Sequence, residues 1–500
     1  MKSIDSSDRA ESRWRHLAIT LIVIAVMVRL LCVGSVELLP EEAYYWNYAQ
    51  HLDIGYLDHP PMVAWLIRLG TAIFGDTEIG VRFGAVLCGT VASVFIYKVT
   101  RNLFGVASAL TALLLMQLLP FCFCSGLLMT PDAPLTAAWA ATLFFLERAL
   151  IAGRVAAWWG AGVSLGLGLL SKYTIAMLVP AAFSFMLLDR DSRHWLRHWV
   201  PYAAGALALA LFTPVIVWNA RHEWISFAFQ TSQRLAERPR FSLHKLLASA
   251  LVLLTPVGFV TIFGALRSPK PPDPQSAATH EQRACRFLLV SVLLPFAVYF
   301  LFSLQHEVKL DWTGTVWIAA LPAFARVTRG RVRTAWAATL IVLLAVYVTG
   351  LDYLALGIPG VGYSEHMEVS PVGWRDLGRQ VSALAYDVSR KTGAEPLVVG
   401  MDRYATASEL AFYASDQQRA LANTTSSHLF GGSGLMYEQW FPRRPLHGRT
   451  LLLVALKPQD VAAPDLESHG ERLEAPHEGV LLRHGEVVHR FYYRVVFGYR

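Results

Sequence analysis

Long apolar runs recur from residue 17 to residue 353 and limit what this chain can fold into. A helix that crosses a membrane needs about 20 mostly apolar residues, and we count about 11 candidate runs. They lie at 17–36, 82–100, 106–125, 133–151, 156–170, 173–188, 200–218, 246–266, 286–303, 313–327 and 335–353. The pattern predicts a polytopic α-helical membrane protein, in which two helices turn at Ser171-Lys172.

The composition fits a membrane protein and argues against nucleic acid as a partner. Hydrophobic residues make up 54% of the chain and charged residues only 16%, against about 25% charged residues in soluble proteins. The formal net charge is +7. The basic excess lies in short loops between the apolar runs, where membrane orientation requires it.

The distribution of Lys and Arg predicts the orientation of the chain. One set of loops carries 19 basic residues, and the loops between them carry about nine, so the positive-inside rule places the first set in the cytoplasm. This set comprises 1–16, 98–101, 148–154, 189–198, 267–286 and 326–333. The N-terminus is then cytoplasmic, and the candidate reactive groups discussed below all face the other side of the membrane.

The last third of the chain is polar and predicts a second domain. We divide the chain into a transmembrane catalytic domain, residues 1–353, and an outer soluble α/β domain, residues 354–500. Alternating and apolar segments predict strands, a helix and a mobile loop in the outer domain. The strands are 397–400, 451–456 and 489–497, the helix is 406–414 and the loop is 423–434.

Two adjacent carboxylates, Glu41 and Glu42, follow the first apolar run and begin the outer loop 37–81. Charged groups at a membrane boundary usually serve an ion, a partner or a reaction. A carboxylate near an acceptor hydroxyl is a suitable general base. Adjacent residues on a helix do not face the same way, so we assign Glu41 to the site and Glu42 to its support. Alternatively, both charges stabilise the N-terminus of a helix that begins near Ala43.

Four further charged residues lie at or near outer helix ends. Lone cations there are suited to binding a phosphate, or they extend to lipid headgroups. An acidic residue at a helix start is either a site residue or a cap. These four are Arg29, Asp132, Lys172 and Lys309. The acidic pair in Asp189-Arg190-Asp191 occupies a short basic loop on the cytoplasmic side, and we exclude it from the site.

Five segments together resemble bacterial GT-C glycosyltransferases. The resemblance is to the protein O-mannosyltransferase-like group, glycosyltransferase family 39, whose relatives include the aminoarabinose and galacturonic acid transferases that modify lipid A. It covers roughly residues 37–325 and is most specific in the first 135. The segments are 41–46, 55–61, 130–134, 169–174 and 309–314. The family usually has Asp-Glu where this chain has Glu41-Glu42, which lengthens the first carboxylate by one methylene.

The resemblance implies a GT-C fold, a polyprenyl-phosphate sugar donor and inverting transfer on the periplasmic face of a bacterial inner membrane. By resemblance, Glu41 is the general base and Asp132 a second acidic group near the site. Lys172 and Lys309 are expected to bind the donor phosphate. Arg29 is a further candidate from its position, because a cation inside a membrane span pairs with a carboxylate or an anionic donor. Substrate-binding residues are expected in the first outer loop; these are Tyr45, Asp58 and His59.

The residues support the same chemistry without the resemblance. A lipid phosphate is a good leaving group, so the reaction needs cations that stabilise the departing charge and one carboxylate that deprotonates the acceptor. No cofactor or metal site is predicted with certainty, although a divalent metal is compatible with acidic loops near a phosphate. The acceptor is left open between a lipid A-like lipid, a glycan and a protein. A flippase or transporter of lipid-linked sugars and a non-catalytic scaffold are the alternative functions.

Overall fold

The computed structural model describes residues 2–233, 236, 238–269, 279–358, 363, 371–483 and 485–500, with side chains from residue 12 onward except that of residue 233. The chain forms two compact units. The helical unit comprises Met1–Leu31, His59–Val63 and Arg82–Tyr347, and the α/β unit comprises Cys32–Asp58, Ala64–Val81 and Val348–Arg500. The division into domains at residue 353 stays a prediction.

Each predicted apolar run lies on one or more helices of the structure. The principal α-helices are Lys2–Cys32, Glu78–Phe104, Val106–Leu118, Pro120–Ser125, Asp132–Leu150, Ala157–Leu169, Leu178–Leu188, Trp199–Arg221, Leu243–Leu266, His280–Ser303, Leu321–Val327 and Gly330–Leu356. Tighter helical turns are found at Tyr173–Met177, Arg190–Arg197 and Gly314–Ala320. Apolar runs form helices because a helix satisfies its own backbone hydrogen bonds in lipid.

Within the described residues, six helices are long and apolar enough to cross a membrane. They are Ser12–Cys32, Glu78–Phe104, Trp199–Arg221, Leu243–Leu266, His280–Ser303 and Gly330–Leu356. A bent pair, Tyr173–Leu188 and Arg190–Arg197, meets at 118° and raises the number to seven if the pair is one span. Most of the other predicted runs lie on helices that are shorter or interrupted. The run 106–125, for example, breaks at Leu119 because Pro120 begins a new helix.

Small residues and one buried ion pair hold the helical unit together. A Cβ on Gly162 would lie 2.5 Å from the Ala204 carbonyl oxygen, so their two helices pack backbone to backbone. Asp189 is buried and forms an ion pair with Arg283, with 2.9 Å between Asp189 Oδ2 and Arg283 Nη2. The acidic pair that we excluded from the site thus has a structural partner.

The α/β unit combines the first outer loop with the C-terminal residues. From the outer loop, this unit contains Pro40–Gln50 and most of Met62–Phe74. The C-terminal helices are Trp374–Thr392, Ala405–Phe412, Gln417–Ala422, Tyr437–Trp440 and Pro458–Ala462. The strands are β1 Leu397–Gly400, β2 Thr424–Ser426, β3 Leu451–Ala455, β4 Arg472–Leu473, β5 His477–Arg483 and β6 Glu486–Phe497.

The six strands form one mixed sheet with the order β2-β1-β3-β6-β4, in which β5 also pairs with β6. β1 is parallel to both β2 and β3, and β6 is antiparallel to β3. Strands β1 and β3 are buried along their whole length, as their unbroken apolar sequences require in a covered parallel sheet.

One prediction for this unit is wrong. The segment predicted as a mobile loop, 423–434, begins with the buried strand β2. Polar Ser and Thr residues suggested a loop, but Val399 pairs with Thr425 in the parallel register. Helix Trp374–Thr392 and strand β5 were not predicted.

Candidate functional site

In the helical unit, Lys172 lies between two carboxylates. Its Nζ is 2.9 Å from Asp132 Oδ1 and 3.0 Å from Asp132 Oδ2. Asp311 Oδ2 lies 3.9 Å from the same nitrogen. The Lys172 and Asp132 side chains are each about 15% exposed, whereas Asp311 is half exposed. We refer to Lys172, Asp132 and Asp311 as the lysine cluster.

Breaks between helices position the lysine cluster. Asp132 is the first residue of Asp132–Leu150, where a negative charge is favourable. Lys172 has an extended backbone between Ala157–Leu169 and Tyr173–Met177. Asp311 precedes the turn Gly314–Ala320. The structure therefore brings together two of the predicted residues and adds Asp311, which the sequence analysis had quoted only as part of a segment.

Lys309 and Arg29 have contrasting environments in the helical unit. Lys309 is exposed, two residues from Asp311. Arg29 is 4% exposed. A Cβ on Gly126 would lie 2.8 Å from Arg29 Cζ, and one on Gly89 would lie 3.5 Å from Nη1. The guanidinium thus packs on two glycines within the unit, an arrangement unlike a side chain that extends to lipid headgroups.

The α/β unit separates the adjacent carboxylates Glu41 and Glu42. Glu42 is fully buried, and its Oε2 accepts a hydrogen bond from the Leu39 backbone N–H at 3.1 Å. This contact supports the start of Pro40–Gln50, whose first position is the proline. Glu41 is exposed. Its Oε1 accepts a hydrogen bond from the Tyr404 hydroxyl at 3.4 Å.

Asp58 lies at the centre of a buried tyrosine cluster. Its Oδ1 accepts hydrogen bonds from the Tyr44 hydroxyl at 3.3 Å and from the Tyr48 hydroxyl. Burial raises the pKa of the Asp58 carboxyl, and the two tyrosine hydrogen bonds oppose that shift. Tyr45 is 6% exposed, and its ring contacts both Tyr44 and Tyr48. This geometry favours a structural role for Asp58 and Tyr45, and their role in substrate binding stays a prediction.

Aromatic residues from the C-terminal part of the α/β unit complete this cluster. The Tyr44 ring lies 4.7 Å from that of Tyr404 and 6.3 Å from that of Tyr437. The Met436 backbone N–H donates to the Tyr44 hydroxyl at 3.2 Å. Sequence reasoning missed Tyr404, because its contact with Glu41 joins residues 363 positions apart. The sequence around Tyr404, which follows Asp402 and Arg403, contains no motif that would indicate this contact.

The remaining predicted residue, His59, is half-buried in the segment His59–Val63 of the helical unit. Its role in substrate binding stays a prediction. In the part of the chain that the structure describes, no group of three or more His, Cys, Asp or Glu side chains has an arrangement that could hold a metal ion.

The chain is similar in sequence to enzymes that transfer sugars. Residues 58–218 match the family model described as dolichyl-phosphate-mannose-protein mannosyltransferase. The lipid A galacturonosyltransferase RgtD of Rhizobium johnstonii is 28% identical over 39% of this chain and 41% of its own length. The undecaprenyl phosphate-alpha-4-amino-4-deoxy-L-arabinose arabinosyl transferase 1 of Pseudomonas fluorescens is 30% identical over 37% of this chain and 36% of its own. The matches span about two fifths of these relatives.

The fold is similar to a solved structure over nearly the whole chain. ArnT from Cupriavidus metallidurans in the apo state superposes with a TM-score of 0.62 at 15% identity, covering 97% of this chain and 98% of that one. The undecaprenyl-phosphate-bound ArnT structure gives a TM-score of 0.59 at 17% identity, covering 96% and 98%.

These similarities define the class of protein. The predicted fold class is confirmed: a polytopic α-helical membrane protein of the GT-C type with a C-terminal α/β region. The resemblance to GT-C glycosyltransferases related to lipid A modification is confirmed as well. The apolar helices among the described residues are those of a multi-pass membrane protein.

Proposed function

We propose that this chain is a membrane glycosyltransferase that moves a sugar from a polyprenyl-phosphate donor to a lipid A-like acceptor on the periplasmic face. The observation that carries the proposal is the lysine cluster, a cation held at the break between apolar helices. The relatives named for lipid A galacturonosyl transfer and for undecaprenyl-phosphate arabinosyl transfer support the choice of donor and acceptor.

Lys172 binds the donor phosphate in this proposal, with Lys309 and Arg29 as further cations. As the bond between the sugar and the phosphate breaks, negative charge grows on the phosphate oxygen, and the ammonium group stabilises it. Asp132 orients the ammonium group through its two hydrogen bonds. A lysine suits this role because its compact charge has three donors, which can serve a carboxylate and a phosphate together.

Glu41 is the general base in this proposal. Its carboxylate takes the proton from the acceptor hydroxyl as that oxygen bonds to the anomeric carbon, and the polyprenyl phosphate leaves with the electron pair of the broken bond. A single displacement of this kind inverts the anomeric centre. Exposure of Glu41 and burial of Glu42 support the assignment of the base to the first carboxylate.

The proposal includes an orientation. The N-terminus is cytoplasmic and residues 354–500 are periplasmic, as the distribution of Lys and Arg favours. This places the residues proposed to react in a compartment that polyprenyl-phosphate sugars reach through the membrane.

The test is sugar transfer by the purified chain in liposomes with a panel of radiolabelled polyprenyl-phosphate sugars. Lipid A, a glycan and a peptide are offered as separate acceptors. We expect incorporation into lipid A from one donor, and loss of incorporation in Lys172→Gln but not in Lys391→Gln, an exposed lysine of Trp374–Thr392. Movement of the donor across the liposome membrane without any transfer would contradict the proposal and favour a flippase. Transfer to the glycan or the peptide alone would contradict the proposal that the acceptor is a lipid A-like lipid.

A further inference from the structure

A small cleft in the α/β unit lies where β1 and β3 end. Its volume is about 230 Å³. The residues that follow β1 line one side, and the residues that follow β3 line the other. We call it the switch-point cleft and define it by Asp402, Arg403, Tyr404, Lys457 and Asp460.

The topology of the sheet marks this position as a ligand site. From β1 the chain passes to β2 on one side, and from β2 it returns past β1 to β3 on the other side. In open α/β sheets, ligands bind outside the carboxyl ends of the parallel strands at the point where the strand order reverses. Here that point lies between β1 and β3, and the switch-point cleft lies at their carboxyl ends.

A larger cavity in the same unit does not meet this criterion. It has a volume of about 390 Å³ and lies at the amino ends of β1 and β2, beside Pro396 and Asn423. Its Arg419 pairs with Glu395, and its Arg379 lies 3.3 Å from Asp376. Arginine side chains line both cavities, so a substitution of Arg419 in the larger cavity is a control for a substitution of Arg403 in the switch-point cleft.

The side chains of the switch-point cleft suit an anionic, hydroxylated molecule. Arg403 and Lys457 are exposed cations on opposite sides of it. The Asp402 carboxylate is engaged by the Tyr404 backbone N–H at 3.0 Å and by the Thr406 hydroxyl and backbone N–H. Asp402 therefore stabilises the start of Ala405–Phe412, and Asp460 and Tyr404 line the cleft beside it.

We propose that the switch-point cleft binds an anionic saccharide, a sugar ring that carries a carboxylate or phosphate group, with Arg403 and Lys457 as the residues that recognise the charge. The cleft has room for one such ring. The ring's hydroxyls face Asp460 and Tyr404, and its acidic group lies between the two cations.

Tyr404 connects this site with Glu41. It lines the switch-point cleft and also donates its hydroxyl hydrogen bond to Glu41 Oε1. Resting on the proposed function, we infer that the saccharide is part of the acceptor, and that the cleft positions an acceptor hydroxyl for the base. Saccharide binding itself does not depend on that function, so the two can fail separately.

Binding is tested directly on the full-length protein in detergent, without donor, by calorimetric titration with glucuronic acid and glucosamine 6-phosphate. Glucose lacks the acidic group and inorganic phosphate lacks the ring, so these are the control ligands. We expect both acidic sugars to bind at least tenfold more tightly than either control, and Arg403→Gln and Lys457→Gln each to weaken binding at least tenfold. Arg419→Gln, in the larger cavity, should leave it unchanged.

Three results would overturn the inference: no binding of either acidic sugar, equal binding of inorganic phosphate, or loss of binding in Arg419→Gln with retention in Lys457→Gln. The link to the acceptor is tested by steady-state transfer. We expect Lys457→Gln to raise the KM for the acceptor and to leave the KM for the donor unchanged. Sugar binding with no transfer from any donor would refute the proposed function and support the site. Transfer with an unaltered acceptor KM would refute the link.

Discussion

At the scale of single residues, two adjacent glutamates have different environments. Glu42 is buried and supports the backbone at the start of Pro40–Gln50, while Glu41 is exposed and accepts a hydrogen bond from the Tyr404 hydroxyl. Loss of a side chain that satisfies a helix start costs about 1 kcal/mol. We expect Glu42→Ala to lower the free energy of unfolding by about this amount and Glu42→Gln, which keeps an acceptor oxygen, to lower it less.

Thermal unfolding in detergent measures this difference. Glu467→Ala, at an exposed glutamate of Pro464–His469, is the matched control and should unfold like the parent protein. Equal stability of Glu42→Ala and the parent would show that the buried carboxylate does not support the helix.

Asp58 predicts a dependence of stability on pH. Burial raises the pKa of its carboxyl in the folded state. A group with a raised folded-state pKa stabilises the fold below its unfolded pKa, and this contribution is lost as the pH rises through the folded-state value. Asp58→Asn stays neutral and keeps an oxygen for the tyrosine hydroxyls. We therefore expect its Tm, relative to the parent, to increase between about pH 4 and pH 7. Parallel Tm curves for the two proteins would contradict this.

Residue types identified only part of the candidate site. Asp132 and Lys172 were selected as candidates because they are charged residues at outer helix ends. Their contact joins residues 40 positions apart. Asp311 and Tyr404 were not assigned to the site, because their roles depend on tertiary contacts that no local spacing encodes.

At the scale of helices and strands, close packing joins two helical segments of the helical unit at Gly314 and Phe121. A Cβ on Gly314, at the start of Gly314–Ala320, would lie 1.9 Å from the ring of Phe121. Overpacking of this kind costs about 1–3 kcal/mol. We expect Gly314→Ala to destabilise the protein by that amount and the double variant Gly314→Ala/Phe121→Leu to recover part of the loss. Additive effects in thermal unfolding would show that the two residues are not coupled.

Apolar periodicity located the helices and the buried strands but not their interruptions. The runs 106–125 and 313–327 were predicted as single helices, and each is two helical pieces. Strand β2 was missed because three polar residues can pair in a parallel sheet whose neighbour supplies the apolar contacts. Hydropathy reports burial in lipid or in a core, whereas a break depends on Pro, Gly and the packing around them.

At the scale of the whole molecule, most of the first outer loop belongs to the same compact unit as the C-terminal residues. Within that unit Glu37 accepts a hydrogen bond from the Trp374 backbone N–H at 2.7 Å and so caps Trp374–Thr392. The sequence could not show this, because the partners are 337 residues apart. The apolar runs predicted a polytopic helical membrane protein and the resemblance implied the GT-C type, while the assembly of this unit required the structure.

The proposed orientation predicts where the C-terminus lies. Alkaline phosphatase folds into an active enzyme in the periplasm, whereas green fluorescent protein exported in an unfolded state does not become fluorescent there. We expect a phosphatase fusion after Arg500 to be active in cells and a fluorescent protein fusion at the same position to be dark. A bright fluorescent protein fusion together with an inactive phosphatase fusion would place residues 354–500 in the cytoplasm and contradict the orientation.

The most direct test of the account is single-turnover sugar transfer by Glu41→Gln, with Glu467→Gln as the matched control and polyprenyl-phosphate donor binding measured in parallel. A general base contributes about 10²- to 10⁴-fold to a rate. The account predicts that Glu41→Gln binds the donor like the parent protein but transfers sugar at least about 100-fold more slowly. Transfer near the parent rate in Glu41→Gln would contradict the assignment of Glu41 as the base.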